Sequence, residues 1–321
     1  MNFDLDDGER ALQQGIRDVC ARLFPMERVR SLEQETGGLD RKLWRELGDA
    51  GVFSLRVPEP EGVGLGMTQE VLVYEELGRS IVPGPLVSTH LAAGLVEGAA
   101  SGERIVGMAE RGRGPAILGH LDAIDVLLVI DADGISSVEP SAVRATPVAR
   151  PLDPLTPMHL ASELPAGERV AGPDVLERWR LDGAALIAAM SVGIASACVE
   201  QAVAYAKERK QFGRVIGSFQ AVKHICADML VRAELARASV YAAGVMLDDP
   251  SAGDAARQVA GARLLAVEAA VANGKANIQV HGGMGYTWEV DAHLFLKRAM
   301  VLQTRFGRAD SLAGAIAQTL T

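Results

Sequence analysis

Residues 277–307, NIQVHGGMGYTWEVDAHLFLKRAMVLQTRFG, place a glycine-rich turn, Gly282-Gly283-Met284-Gly285, between two runs that read as helices, 264–280 and 292–303. A glycine pair after a helix does two jobs. It ends the helix in a left-handed conformation, and it leaves backbone that a ligand can approach without meeting a Cβ. Alone, such a turn is a helix C-cap. What gives this one more weight is Gln279 just before it, together with a second element upstream, ERKQFGRVIGSFQAVKH at 208–224.

Working outward, residues 179–210 read as one long helix, with Leu181, Ala185, Ala188, Ala189, Val192, Ala195, Val199 and Val203 on one face. Residues 219–247, 253–280 and 293–302 give three more, and four such helices in a row suggest an antiparallel bundle. A short Ala-rich helix is expected at 309–320. Toward the N-terminus, helices are expected at 4–24, at 39–50 (ended by Gly51) and at 68–79, where Thr68 and Glu70 mark the start. The Pro/Gly-rich stretch 57–66 is a loop, and 83–102 is a further helix leading to a boundary. Between about 103 and 168 the pattern changes: 126–130 is an apolar run, 135–138 follows a DADG turn, and 143–148 roughly alternates. The expected fold is therefore mostly α. An N-terminal helical domain (1–102) precedes a reduced middle β region (103–175) and a C-terminal four-helix bundle (176–321).

The composition suits this. With 321 residues the chain can hold two or three cores, and 49% hydrophobic residues with only 4% aromatics fit close-packed helices joined by small side chains. A net charge of −9 argues against a nucleic-acid partner, whose phosphates would require a basic face. Cys20, Cys198 and Cys226 lie at no metal-ligand spacing, among apolar or Ala-rich neighbours, so buried free thiols in a reducing compartment are expected and no metal. The acidic N-terminus lacks the basic-then-apolar plan of a secretory signal, and the apolar stretch 184–198 is too short to span a bilayer. The expectation is a soluble, cytoplasmic protein.

The two motifs, in this order, resemble the C-terminal helical domain of the flavin-dependent acyl-CoA dehydrogenases, and 43–79, with LWRELGDAGVFSLRVPEPEGVGLG and VYEELGR, resembles their N-terminal helical domain. The resemblance implies FAD. In the family the arginine of an Arg-Lys-x-Phe-Gly motif reaches across a subunit interface to the pyrophosphate of the neighbour's FAD, and here it is Arg209. A guanidinium offers phosphate a planar, always-charged fork. The resemblance places Phe212 beside the dinucleotide tail, with Gln220 hydrogen-bonding it. It completes the cradle with Gln279 and the backbone N–H groups of Gly282 and Gly283. A lone Arg209 would be a solvated charge at a helix end; the constellation favours the FAD tail. His224, His281 and His293 read as packing or surface residues, and Glu289 as structural.

The implied reaction is α,β-dehydrogenation of an acyl-CoA thioester, in which a carboxylate of raised pKa removes the α-proton. Here the sequence departs from the family twice. The middle region lacks the acidic-Pro-x-Ala-Gly-Ser-Asp and Trp-x-Thr-Asn-Gly segments, and its only family-like trace is DPLTP at 153–157. The commoner glutamate slot holds Phe306, followed by Gly307, and the rarer one aligns with Gly183. Asp182, next to that second slot, is the one candidate base, and a one-residue offset turns it by about 100° on a helix, as a solvated Asp. These departures resemble the shortened subunit of α2β2 acyl-CoA dehydrogenases acting on sterol side-chain CoA esters. The expected function is a subunit that contributes the FAD-tail site while a full-length partner supplies the glutamate. The resemblance makes electron-transfer flavoprotein the acceptor. The alternatives are a self-sufficient homo-oligomer using Asp182 and a flavin-free scaffold or regulatory subunit. The Ala/Gly-rich faces of 184–206 and 255–276 are expected to serve association between subunits.

Overall fold

A computed structural model gives the fold and describes residues 5–112, 114–307 and 309–318. The expected helix ends at residues 4 and 319–320 lie outside the described residues. The helices are α1 (Asp7–Leu23), α2 (Met26–Thr36), α3 (Arg41–Asp49), α4 (Met67–Arg79), α5 (Leu86–Leu91), α6 (Pro173–Glu208), α7 (Gln220–Asp248), α8 (Ala255–His281), α9 (Ala292–Leu302) and α10 (Ala309–Gln318). The strands are β1 (Val106–Glu110), β2 (Ala116–Gly119), β3 (Val126–Asp131), β4 (Gly134–Val138), β5 (Ala145–Pro147), β6 (Met158–Ala161), β7 (Glu168–Ala171), β8 (Lys210–Gln211) and β9 (Arg214–Val215). They form two compact units, neither continuous in sequence. One is Met1–Arg22, Met67–Val82 and Ala184–Thr321; the other is Leu23–Gly66 and Pro83–Gly183.

The first unit contains the expected bundle, and side-chain bonds fix its directions. Gln258 Nε2 donates to Ser239 O (3.0 Å) and Asn273 Nδ2 to Met229 O (2.9 Å), so α7 and α8 are antiparallel. Asn273 Nδ2 also reaches Ala195 O (3.2 Å), and Asn277 Nδ2 donates to Gln201 Oε1 (2.9 Å), so α8 runs parallel to α6. The small residues are needed inside the chain. A Cβ on Gly193 of α6 would lie 1.9 Å from Glu75 O, and one on Gly78 of α4 would lie 2.1 Å from Met190 O, so these helices cross backbone against backbone. Ala185, Ala188, Ala195 and Ala202 of α6 and Ala262, Ala266 and Ala270 of α8 are all fully buried. The Ala/Gly faces expected to serve association are thus used within the chain. Among the described residues, the large apolar side chains exposed on α7 and α8 are Leu230, Val231 and Leu235 on α7 and Leu265 on α8. By length and composition α6 could cross a membrane, but its most apolar window is wholly buried in the fold.

Buried charge ties α4 into the same unit. Glu75, 1% exposed, accepts from Arg237 Nε (3.0 Å) and Tyr241 OH (2.9 Å), and Glu76 accepts from Arg17 Nε (3.0 Å) and Nη2 (2.8 Å). Burial raises the Glu75 carboxyl above its ordinary range against the pull of Arg237. The start of α4 is capped from outside. Asp248, at the end of α7, accepts from the backbone N–H of Met67 (2.7 Å) and Thr68 (2.8 Å), so two of the four free N–H groups at this helix start are met from α7.

In the second unit the middle region is more complete than the sequence suggested. Besides β3, β4 and β5, which match the expected strands, β1, β2, β6 and β7 are present, in a four-stranded sheet β1-β3-β4-β7 and a three-stranded sheet β2-β6-β5. β1 lies parallel to β3, with Val106 opposite Val126, and β3–β4 form a hairpin through the DADG turn. α2 was not expected. It carries only two buried apolar residues, Val29 and Leu32, and closes on Gly37 at φ 62°. The helix expected over 83–102 is shorter, α5 giving way to a single 3-10 turn at Ala92–Gly94. DPLTP is an Asx turn in which buried Asp153 accepts from Leu155 N (3.1 Å) and Thr156 Oγ1 (2.7 Å).

Candidate functional site

Arg209, Phe212, Gln220, Gln279, Gly282 and Gly283 all lie in the first unit, where the ends of α6 and α8 meet the start of α7. The meeting follows from α8 residues at i, i+4 spacing that face α6. Asn273 reaches Ala195 O, Asn277 reaches Gln201, and the His281 ring stacks on Tyr205 with centroids 4.2 Å apart. His281 Nδ1 donates to Asn277 O at 2.8 Å, since a carbonyl oxygen can only accept. His281 is therefore a buried residue that ties two helix ends together. The spacing Asn-x3-Asn-x3-His along α8 marks the face that meets α6, but it does not single out Tyr205 as the partner.

Beyond this stack the chain turns sharply. Arg209 N donates to Tyr205 O (2.9 Å), and Arg209 O accepts from Ile216 N (2.8 Å), closing the β8–β9 hairpin. Phe212 and Gly213, at φ 53° and 79°, form its two-residue loop, the geometry of a type I′ turn. A phenylalanine with positive φ is strained, and this one is 90% exposed. Its ring meets Phe219 edge-on at 6.1 Å, next to Gln220, which opens α7. Arg214 lies 4.0 Å over the Phe219 ring. The side chains of Arg209, Gln220 and Gln279 are exposed, and Arg209 makes no ion pair among the described residues.

The glycine turn differs in detail from expectation. Gly282 has φ 61° but ψ −138°, outside the left-handed helical region yet still a conformation for glycine, and its N–H already donates to Gln279 O. That amide is engaged within the chain. A Cβ added at Gly282 or Gly283 would meet nothing within 4 Å, so both present bare backbone to the surroundings, whereas Gly285 packs 2.6 Å from Ile278 O at its Cβ position. This face thus offers a free guanidinium, two side-chain amides, open glycine backbone and an exposed ring, a set that suits a phosphate-bearing aromatic ligand.

The candidate base is differently placed. Asp182, 1% exposed, is not the solvated residue expected. Arg178 Nε donates to both its carboxylate oxygens (2.8 and 3.0 Å), and Arg56 pairs with Oδ2. Its acceptor sites are occupied by cations, which suits a structural tie. Phe306 sits in the turn after α9 at φ 48°, and the buried Arg263 fixes that turn by donating to Leu302 O and Arg305 O, both at 2.7 Å. Among the described residues no group of His, Cys, Asp and Glu could hold a metal. Burial pushes the Cys20 and Cys198 thiols up to about 12; Cys226 is half-buried rather than buried, and burial raises it too. Glu289 and His224 are exposed, and His293 packs edge-on against Trp288 at 4.6 Å.

The helical bundle, with exposed Arg209, Gln220 and Gln279 and open glycine backbone at its end, carries the features that the family resemblance implies. The chain belongs to the acyl-CoA dehydrogenase family, FAD-dependent oxidoreductases acting on the CH–CH bond of acyl-CoA donors. The profile of the acyl-CoA dehydrogenase C-terminal domain matches residues 178–321 and that of the N-terminal domain residues 6–103. It is 36% identical over 304 residues to acyl-CoA dehydrogenase IpdE2 of Mycolicibacterium smegmatis, covering 92% of this chain and 93% of that protein. It is 36% identical over 301 residues to FadE34 of Mycobacterium tuberculosis, covering 84% of this chain but 41% of that longer protein. Among solved structures it resembles the ChsE4-ChsE5 complex of M. tuberculosis, with TM-score 0.83 and 25% identity over 100% of this chain and 99% of that one. It also shares the fold of the Tcur3481-Tcur3483 steroid ACAD, with TM-score 0.83 and 22% identity over 98% of each chain.

Proposed function

We propose that this chain is one subunit of a heteromeric acyl-CoA dehydrogenase, holding the tail of an FAD whose reacting end and catalytic glutamate belong to a full-length partner. What carries this is the set of exposed groups Arg209, Gln220, Gln279 and the open glycine backbone, together with Phe306 where the family resemblance expects the glutamate. Bound FAD supplies the hydride acceptor for the β-hydrogen of the acyl-CoA. Arg209 would hold its pyrophosphate, Gln220 and Gln279 would hydrogen-bond the tail, Phe212 would lie along it, and Gly282 and Gly283 would let it approach the backbone. Through these contacts the chain orients the cofactor; the α-proton goes to the partner's carboxylate. The likeness to a two-component complex and to a steroid ACAD supports a partner subunit and a sterol side-chain CoA ester as substrate. Electron-transfer flavoprotein is the proposed acceptor. The proposed functional division stays 1–102, 103–175 and 176–321.

The self-sufficient homo-oligomer draws on one observation, the two sheets found in the middle region. It lacks a base, because the Asp182 carboxylate is engaged by Arg56 and Arg178. Reconstitution decides between the readings. The chain alone should not oxidise acyl-CoA, and Phe306→Glu in the isolated chain should not make it do so. Mixing with a full-length acyl-CoA dehydrogenase subunit should produce turnover that depends on the partner's glutamate. Turnover by the isolated chain would refute the proposal.

A further inference from the structure

We propose that Tyr205 and His281 are a positioning pair for the FAD-tail site, holding the arginine half and the glycine half at the separation that one dinucleotide tail can bridge. This rests on the FAD-tail reading given above. The two halves are on different helices. Arg209 follows the end of α6, while Gln279, Gly282 and Gly283 surround the end of α8. Helix ends open locally more readily than helix middles, so two parallel helices keep their ends level only if something pins them there.

The pin is visible. The polar ladder between α6 and α8 climbs from Asn273 with Ala195 O, through Asn277 with Gln201, to His281 with Tyr205. The last rung falls on the final residue of α8 and within the final turn of α6. The His281 ring is held by Asn277 O through Nδ1, and the Tyr205 carbonyl receives the N–H of Arg209 (2.9 Å). One stacked contact therefore connects the residue preceding the open glycines with the turn that carries the arginine. His281 is 8% exposed, and among the described residues its other nitrogen, Nε2, has no partner. The ring is used for its faces and its Nδ1–H, which histidine provides on a flat surface small enough to lie between the two helices.

The test uses the assembled complex and reads the dissociation constant of FAD. Tyr205→Ala and His281→Ala should each weaken FAD binding about tenfold or more, as Arg209→Ala should, while Tyr205→Phe, which keeps the stack, should bind as the parent. The decisive arm is the double variant. If the pair acts by placing Arg209, then Tyr205→Ala added to Arg209→Ala should cost little more than Arg209→Ala alone, because the contact it positions is already gone. A pair that only stabilises the bundle would give the same further loss in both backgrounds, and that additivity would overturn the inference. So would an effect of Arg209→Ala with none from Tyr205→Ala or His281→Ala. If Arg209→Ala itself leaves FAD binding unchanged, the FAD-tail assignment fails and the pair has nothing to position. Should Tyr205→Ala not assemble, His281→Gln carries the same comparison. It keeps a donor for Asn277 O but no ring, and parent-like FAD binding in it would also overturn the inference.

Discussion

Replacing Gly193 by alanine should destabilise the protein, and replacing Gly261 by alanine should stabilise it, although both are helical glycines. In an exposed helix interior the exchange gains about 1 kcal/mol from propensity. At Gly261, in α8, an added Cβ meets nothing within 4 Å, so this gain stands. At Gly193 the Cβ would lie 1.9 Å from Glu75 O and 2.5 Å from Arg79 N. Both are backbone atoms of α4, so no rotamer can yield and the helices must separate. Separation also pulls on the Glu75 carboxylate held by Arg237 and Tyr241. Overpacking against a yielding neighbour costs about 1–3 kcal/mol, and against rigid backbone the upper end applies. The net loss after the propensity gain is about 2 kcal/mol. For a unit of this size that lowers Tm by about 4–8 °C, against a rise of about 2–4 °C for Gly261→Ala. Thermal unfolding followed by circular dichroism measures both. Shifts of the same sign, or an unchanged Gly193→Ala, would show that α4 and α6 do not cross as described.

Arg209→Ala in the assembled complex should weaken FAD binding about tenfold to a hundredfold, from about 1.5–3 kcal/mol for a charge-assisted contact, whereas Lys210→Ala should do little; equilibrium dialysis against FAD measures both. Asp182→Asn should lower stability by about 1–3 kcal/mol by weakening its bonds to Arg56 and Arg178, with turnover per bound flavin nearly intact; a fall of about 10²–10⁴-fold there would make Asp182 the base. Asp125→Asn should flatten the acid limb of stability. Burial alone would raise this carboxyl, but Arg41 (2.7 and 3.0 Å) and the Ile105 N–H (2.8 Å) hold it below its ordinary value. Its contribution is therefore full above the unfolded carboxyl's pKa, about 3.9, and is lost as pH falls through the lower folded value. The difference in Tm between neutral and strongly acidic pH should shrink in the variant.

The bundle was legible because its helices are long, apolar on a steady period and punctuated by glycine, so each local signal agreed with the global fold. β1, β2, β6 and β7 were not. Each is four or five residues long, and their partners are set by distant pairing such as Val106 with Val126, which no local pattern records. The site split in the same way. Arg209, Phe212, Gln279 and the glycines could be found because a motif places them in sequence. The Tyr205–His281 stack could not, since a single aromatic and a single histidine on apolar helices look like ordinary packing until the helices are aligned. Asp182 looked solvated because Arg56, which pairs with it, stands 126 positions away. The capping of α4 by Asp248 escaped notice for the same reason, its partner Thr68 lying 180 positions earlier.

If this chain serves a cofactor it does not complete, the flavin count per chain differs between the isolated chain and the complex. The chain should be purified alone and then with a full-length acyl-CoA dehydrogenase partner, and FAD and acyl-CoA-dependent flavin reduction measured in each. Little FAD and no reduction are expected for the chain alone, and one FAD per pair of unlike chains, reduced by acyl-CoA, in the complex. One FAD per chain in the isolated protein, reduced on adding acyl-CoA, would contradict the proposed function.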